Sequence, residues 1–149
     1  MTYYAVAIRP IYLSDPDEIS VRLGSGRRPR AVVSALDGDA QTCLDADGRL
    51  LRLLLADSKV LRLGQRLAGL PVIGPPPPPT PANLIGYDLT ARIASLFLVS
   101  TPDSAIVQRL SRPAHLDFDA SGRLLAVRIP AGPTARRQPD LYRALAFLM

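Results

Sequence analysis

The residues with the greatest capacity for chemistry lie together in the stretch PAHLDFDASGR. His115 and Asp117 are two residues apart, so on a strand their side chains share a face and could pair as a base and its orienting carboxylate. No nucleophile accompanies them. Ser121 belongs to a turn, Ser111 precedes Arg-Pro, and no nucleophile-elbow, phosphate-loop or dinucleotide motif occurs. Gly24-Ser25-Gly26-Arg27 is too short for a phosphate cradle. His115 is the only histidine and Cys43 the only cysteine, which excludes a His pair or Cys cage for a metal and an internal disulfide. The apolar surroundings of Cys43 predict an inert, partly buried thiol. Asp117 and Asp119, with Ser121 and Gly122, match the opening half of a calcium loop, but its twelfth position is Arg128, where a bidentate Glu is required. Asp45 and Asp47 repeat that arrangement with fewer ligands, and Asp-Gly pairs are what turns themselves demand. The chain therefore reads as non-catalytic and without a cofactor. His115 and Asp117 are its candidate hydrolytic or ligand-binding pair, and Asp117 and Asp119 its candidate metal ligands.

Charge offers a second route to function. The net charge is +5, yet the basic residues are arginines apart from Lys59, a bias that genome composition explains. Divided at Gly74, the chain has ten basic and eight acidic residues before that point and eight and five after it, so neither half is a basic arm. Two local clusters remain, Arg27, Arg28 and Arg30 in a Gly-Ser-Gly loop and Arg136 and Arg137 in a Pro-flanked loop. These are the candidate phosphate contacts of an alternative, nucleic-acid-binding reading.

The elements that must position these groups are organised as a repeat. LDADGRLL at Leu44 to Leu51 returns as LDFDASGRLL at Leu116 to Leu125. Tyr12, Ser20 and Leu23 stand opposite Tyr87, Ser95 and Leu98, and Ala31 to Val33 opposite Ala105 to Val107, all at an offset of about 75 residues. Between the copies, 71–81 holds five consecutive prolines from Pro75 to Pro79, which admit neither helix nor central strand. A polyproline strut of that length spans up to roughly 34 Å. The expected organisation is a first repeat over 1–70, the linker over 71–81 and a second repeat over 82–149, fused as one structural domain.

Within each copy the spacing predicts strands. Tyr4, Val6 and Ile8, and then Ile19, Val21 and Leu23, alternate with their neighbours at a period of two, whereas Leu96 to Val99 show no polar face and predict a strand covered on both sides. Asp47-Gly48 predicts a two-residue type I′ hairpin, with Asp119 to Gly122 as a longer-looped counterpart. Val60, Leu63, Leu67 and Leu70 behind an Asp57 or Ser58 cap, and Leu141, Leu145 and Leu148 behind Pro139-Asp140, have helical spacing. Gly64 and Gly69 weaken the first helix, and Leu50 to Leu70 satisfies either strand-then-helix or one continuous helix. The expected fold is α+β and β-rich, two tandem βββ(α) repeats packed about a pseudo-two-fold axis. A unit of 50–60 residues is marginal alone, and its duplicate can cover its exposed sheet face.

The segment from Gly86 to Ala131, with its Tyr-Asp start, the SLFLV strand and the closing LDFDASGRLLAVRI hairpin, resembles the small bacterial domain-of-unknown-function family 2283, and Tyr12 to Ala56 resembles it less closely. The resemblance implies a compact β-rich domain that commonly occurs as a single copy, and it brings no catalytic residues. This chain departs from it at Ala126-Val127-Arg128, where the family has a Gly-Ile-Glu-like sequence, and in the loop bearing Arg27, Arg28 and Arg30. No apolar run reaches membrane-spanning length, and Met1 to Pro10 lacks the features of a secretory signal, which predicts a cytoplasmic protein with no membrane partner. The function expected from these readings is a structural or protein-interaction module, acting on a protein partner or by self-association. Nucleic-acid binding through the loop arginines is one alternative, and a small-ligand or hydrolytic site at the repeat junction around His115 and Asp117 is the other.

Overall fold

The computed structural model describes residues 1–13, 17–24 and 31–131. They form strands β1 (Thr2–Ala5), β2 (Ile8–Leu13), β3 (Glu18–Leu23), β4 (Ser34–Leu44) and β5 (Leu50–Ala56), then a one-turn helix α1 (Leu63–Arg66). Strands β6 (Val72–Ile73), β7 (Leu84–Asp88), β8 (Ile93–Phe97), β9 (Gln108–Phe118) and β10 (Leu124–Pro130) follow, with a 3-10 turn at Asp103–Ala105. All strands belong to one antiparallel sheet, ordered β2-β3-β10-β9-β4-β5-β8-β7-β1-β6 and curled into a half-barrel.

This overturns the expected α+β architecture of two packed repeats. The halves do not lie face to face as separate three-stranded sheets with a helix each. They are interleaved in a single sheet: β3 pairs with β10 from Glu18 to Arg22, β5 with β8, and β4 with β9 along all eleven residues of both strands. Each hairpin is thus completed by the other half of the chain. The strand order from β2 to β7 also reads the same backwards when β2–β5 are exchanged for β7–β10.

The expected first helix shrinks to four residues because local side chains take its backbone donors. Asp57 Oδ1 accepts the N–H groups of Ser58 (2.7 Å) and Leu63 (2.8 Å), and Ser58 Oγ accepts that of Leu61 (3.1 Å). Such bonds favour turns over helix. Arg62 then adopts a left-handed φ of 51°, which interrupts the path. The Leu50 to Leu70 ambiguity thus resolves as strand, then a turn bonded by Asp57 and Ser58, then the one-turn α1. Leu61, Leu63 and Leu67 still join the buried core that also holds Leu53, Leu116 and Phe118. Arg66 caps that packing, its guanidinium 3.9 Å from the Phe118 ring centre and its Nη1 donating to the Gly122 carbonyl. The expected second helix at Leu141 to Leu148 lies outside the described residues.

The two acidic hairpins have one conformation. Gly48 N donates to the Asp45 carbonyl (3.0 Å) and Asp45 N to that of Arg49 (3.0 Å), while Gly122 with Asp119 (3.0 Å) and Asp119 with Arg123 (3.1 Å) do the same. Gly48 at φ 78° and Gly122 at φ 79° are left-handed, whereas Asp47 is not, so neither turn is type I′. Both are three-residue loops closed by a left-handed glycine. Asp45 therefore corresponds to Asp119, and Leu44 to Phe118 rather than to Leu116. The longer second loop suggested by the sequence does not exist.

The ends of the sheet are linked by one extended run. β1 pairs with β7 while β2, which follows it directly, pairs with β3. Where they meet, Asn83 accepts the Val6 N–H on its carbonyl (3.2 Å) and the Ile8 N–H on its side chain (3.0 Å). Because Ala7 bonds Gly24 toward β3, Pro10 presents its missing N–H on the outer side, which blunts the β2 edge against further strand addition. At the start of 71–81, Pro71 accepts the Ala5 N–H and Val72–Ile73 pair with β1, so this part of the proline-rich segment runs along the sheet edge.

Candidate functional site

The residues singled out by the sequence are held apart. His115 and Asp117 lie on one face of β9, yet each takes a different partner. His115 Nδ1 is 2.6 Å from Oδ1 of Asp37, its cross-strand neighbour on β4, and both side chains are exposed. Asp117 is buried and accepts two 2.9 Å bonds from Nε and Nη2 of Arg128, a bidentate pair that holds the guanidinium pKa above its usual value. Asp117 is thus committed to a neighbouring strand and does not orient His115.

The carboxylates of the calcium reading are likewise engaged by neighbours. Asp119 Oδ1 accepts the backbone N–H groups of Ser121 (2.9 Å) and Arg123 (3.0 Å), and Asp45 Oδ1 those of Asp47 (2.9 Å) and Arg49 (2.8 Å). These carboxylates build their own turns. Among the described residues no group of three His, Cys, Asp or Glu side chains could hold a metal ion. Cys43 is fully buried, and burial raises its thiol pKa despite the opposing pull of Arg109 and Arg52. Arg27, Arg28, Arg30, Arg136 and Arg137 lie outside the described residues.

A different corner groups several charged and polar side chains around one depression. An open depression of about 370 Å³ lies between the 57–66 turn and the β7–β8 hairpin. Its floor is a hydrogen bond from the Tyr87 hydroxyl to Asp57 Oδ2 at 2.5 Å. Burial opposes ionisation of Asp57, but bonds from Tyr87 and from the backbone of Leu63 and Ser58 outweigh it and lower the pKa. The same carboxylate, with burial, pushes the Tyr87 pKa up to about 12. At neutral pH the floor is a neutral phenol donating to a charged, fully engaged carboxylate. Gly64 permits this closeness, since a Cβ there would lie 3.2 Å from the Tyr87 ring.

Lys59, Arg62 and Arg92 surround this floor, all exposed. Two of the three non-glycine residues with positive φ among the described residues are here, Arg62 at 51° and Arg92 at 55°. The Arg92 conformation is held by a bond from Asp57 N to its carbonyl (2.8 Å). Strained backbone of this kind costs of order 1–3 kcal/mol and persists only where surroundings enforce it. Leu89, 76% exposed, lines the same depression, and Val60, 66% exposed, stands in the turn beside Lys59.

No protein-family model, curated protein or solved structure matches the chain. The corner's arrangement can hold an anionic group against three cations while contacting an apolar neighbour. Sequence reasoning reached Asp57 only as a helix cap and Tyr87 only as a repeat marker. The left-handed arginines leave no sequence signal, because only Gly, and to a lesser degree Asn and Asp, advertise that conformation. Among the described residues no helix is long and apolar enough to cross a membrane.

Proposed function

We propose that the chain is a non-catalytic protein-interaction module whose docking site is the Lys59–Arg62–Arg92 corner and whose partner presents an acidic segment with an apolar side chain. The observation that carries this reading is the grouping of three exposed cations and the exposed Leu89 around a rigid Tyr87–Asp57 floor. Opposite charge supplies approach and orientation, and apolar contact supplies the remainder of the affinity. The groups with catalytic potential support the same reading, since His115, Asp117 and Asp57 are each held by a structural partner. Under this proposal the resemblance to family 2283 describes ancestry and adds no ligand.

The test is fluorescence anisotropy with a labelled peptide alternating Glu and Leu, against a control alternating Lys and Leu. The acidic peptide is expected to bind, to weaken as salt rises, and to lose at least about tenfold in affinity with Arg62→Gln/Arg92→Gln. Equal binding of both peptides, or an acidic-peptide affinity indifferent to the double substitution, would overturn the docking site. Preferential binding of an oligonucleotide at this corner would instead favour the nucleic-acid alternative.

A further inference from the structure

Among the described residues, the cationic corner has a structural counterpart in the other half of the chain, with an acidic residue in the place of Arg92. Tyr12 and Tyr87 are 75 residues apart, and so are Asp17 and Arg92. The backbone bond from Asp57 N to the Arg92 carbonyl (2.8 Å) recurs as one from Ala131 N to the Asp17 carbonyl (3.1 Å). Both corners also contain a tyrosine hydroxyl bonded to a carboxylate at 2.5 Å, Tyr87 to Asp57 and Tyr12 to Asp17. The carboxylate comes from different positions, so where the first corner has exposed Arg92 the second has exposed Asp17, followed by Glu18.

The two corners lie on different strands, Tyr87 on β7 and Tyr12 on β2. Thr2 pairs with Tyr87, and Tyr12 lies ten residues further along the run that forms β1 and β2, up to roughly 33 Å away at 3.3 Å per residue.

We infer that the acidic turn at Asp17 and Glu18 of one molecule docks in the Lys59–Arg62–Arg92 corner of a second copy, so that the chain associates head to tail. The inference rests on the docking site proposed above and names its occupant. Because the contact joins two different surfaces, it can propagate into an open chain of molecules or close into a ring. The favoured occupant is a second copy because complementary charge is present on this chain at an equivalent position in the fold, with Asp17 exposed and Glu18 half-buried beside it.

Sedimentation velocity of the full chain over a concentration series provides the test. In low salt the mass is expected to rise above the 16.1 kDa monomer, and to return to it in about 1 M salt, where the Debye length is about 3 Å. Asp17→Asn/Glu18→Gln and Arg62→Gln/Arg92→Gln should each be monomeric, and their equimolar mixture should form a one-to-one pair through the intact surface on each. The Asn at 17 keeps an acceptor for Tyr12, and circular dichroism checks the fold of all variants. A wild-type chain that stays monomeric in low salt at its solubility limit, or association that survives both double substitutions, overturns the inference. If the Glu-Leu peptide still binds a monomeric wild type, the docking site stands and only the second-copy occupant fails.

Discussion

Replacing Tyr87 by Phe removes a single oxygen, and the structure specifies what should follow. The phenol donates to a charged Asp57 that keeps its backbone donors from Ser58 and Leu63. Hydrogen bonds to charged groups contribute roughly 1.5–3 kcal/mol, and because Asp57 is not left bare the loss belongs at the lower end, about 1.5–2 kcal/mol. For a chain of this size that corresponds to a fall in Tm of about 3–8 °C. The pH dependence is the sharper signature. Tyr87 has its folded pKa raised from 10 to about 12, so its stabilising contribution is fully present below pH 10 and is lost as pH rises through 12. Asp57 has its pKa lowered, so its contribution is present above the ordinary carboxylate range near 3.8 and is lost as pH falls below it. Urea unfolding of wild type and Tyr87→Phe at pH 7 should therefore differ by the stated amount, and the difference should shrink between pH 10 and 12. A substitution that costs only a few tenths of a kcal/mol at pH 7, with a gap that does not change to pH 12, would refute the reasoning.

Asp117→Ala should cost about 2 kcal/mol in urea unfolding, less than the roughly 3–5 of a fully buried pair because the Arg128 side chain keeps 31% exposure. Asp117→Leu/Arg128→Met should restore most of it, and added calcium should leave the wild-type Tm unchanged; calcium stabilisation lost with Asp117 would revive the metal reading. A protease site placed within Pro75 to Pro79 and cut after folding should yield two fragments that co-elute in native buffer and separate in denaturant. The reason is that β3 pairs with β10, β5 with β8 and β4 with β9 across the halves. Fragments that part in native buffer would show that the halves are not interleaved.

The period-two segments were legible because one buried face is enough to write alternation into a strand. Ile19 and Val21 are fully buried on β3, and Leu96 and Phe97 are buried on opposite faces of β8, as their lack of a polar side implies. The long central strands were not legible. β4 contains Gly38 and three acidic or amide side chains on its outer face, and β9 contains Pro113, which sequence rules treat as foreign to a central strand. Pro113 is tolerated because β10 stops pairing at His115, so only one side of β9 carries a ladder there. The candidate site was hidden in a similar way. Asp57 reads as a cap from sequence, and it does hold the turn, but its second oxygen reaches Tyr87 thirty residues away.

What the sequence by itself determined was local: which residues alternate, and where Asp and Gly make turns. These follow from backbone geometry and from burial, and both act over a few residues. Only the tertiary structure decided which strand each hairpin joins, because cross-strand pairing is set by the partner's register and not by the strand's own pattern. That choice interleaved the halves, separated His115 from Asp117 by giving each a nearer partner, and brought Asp57, Arg62, Tyr87 and Arg92 to one corner. Charge and hydrogen bonding act through space, so residues far apart along the chain form a site only once the fold has made them neighbours.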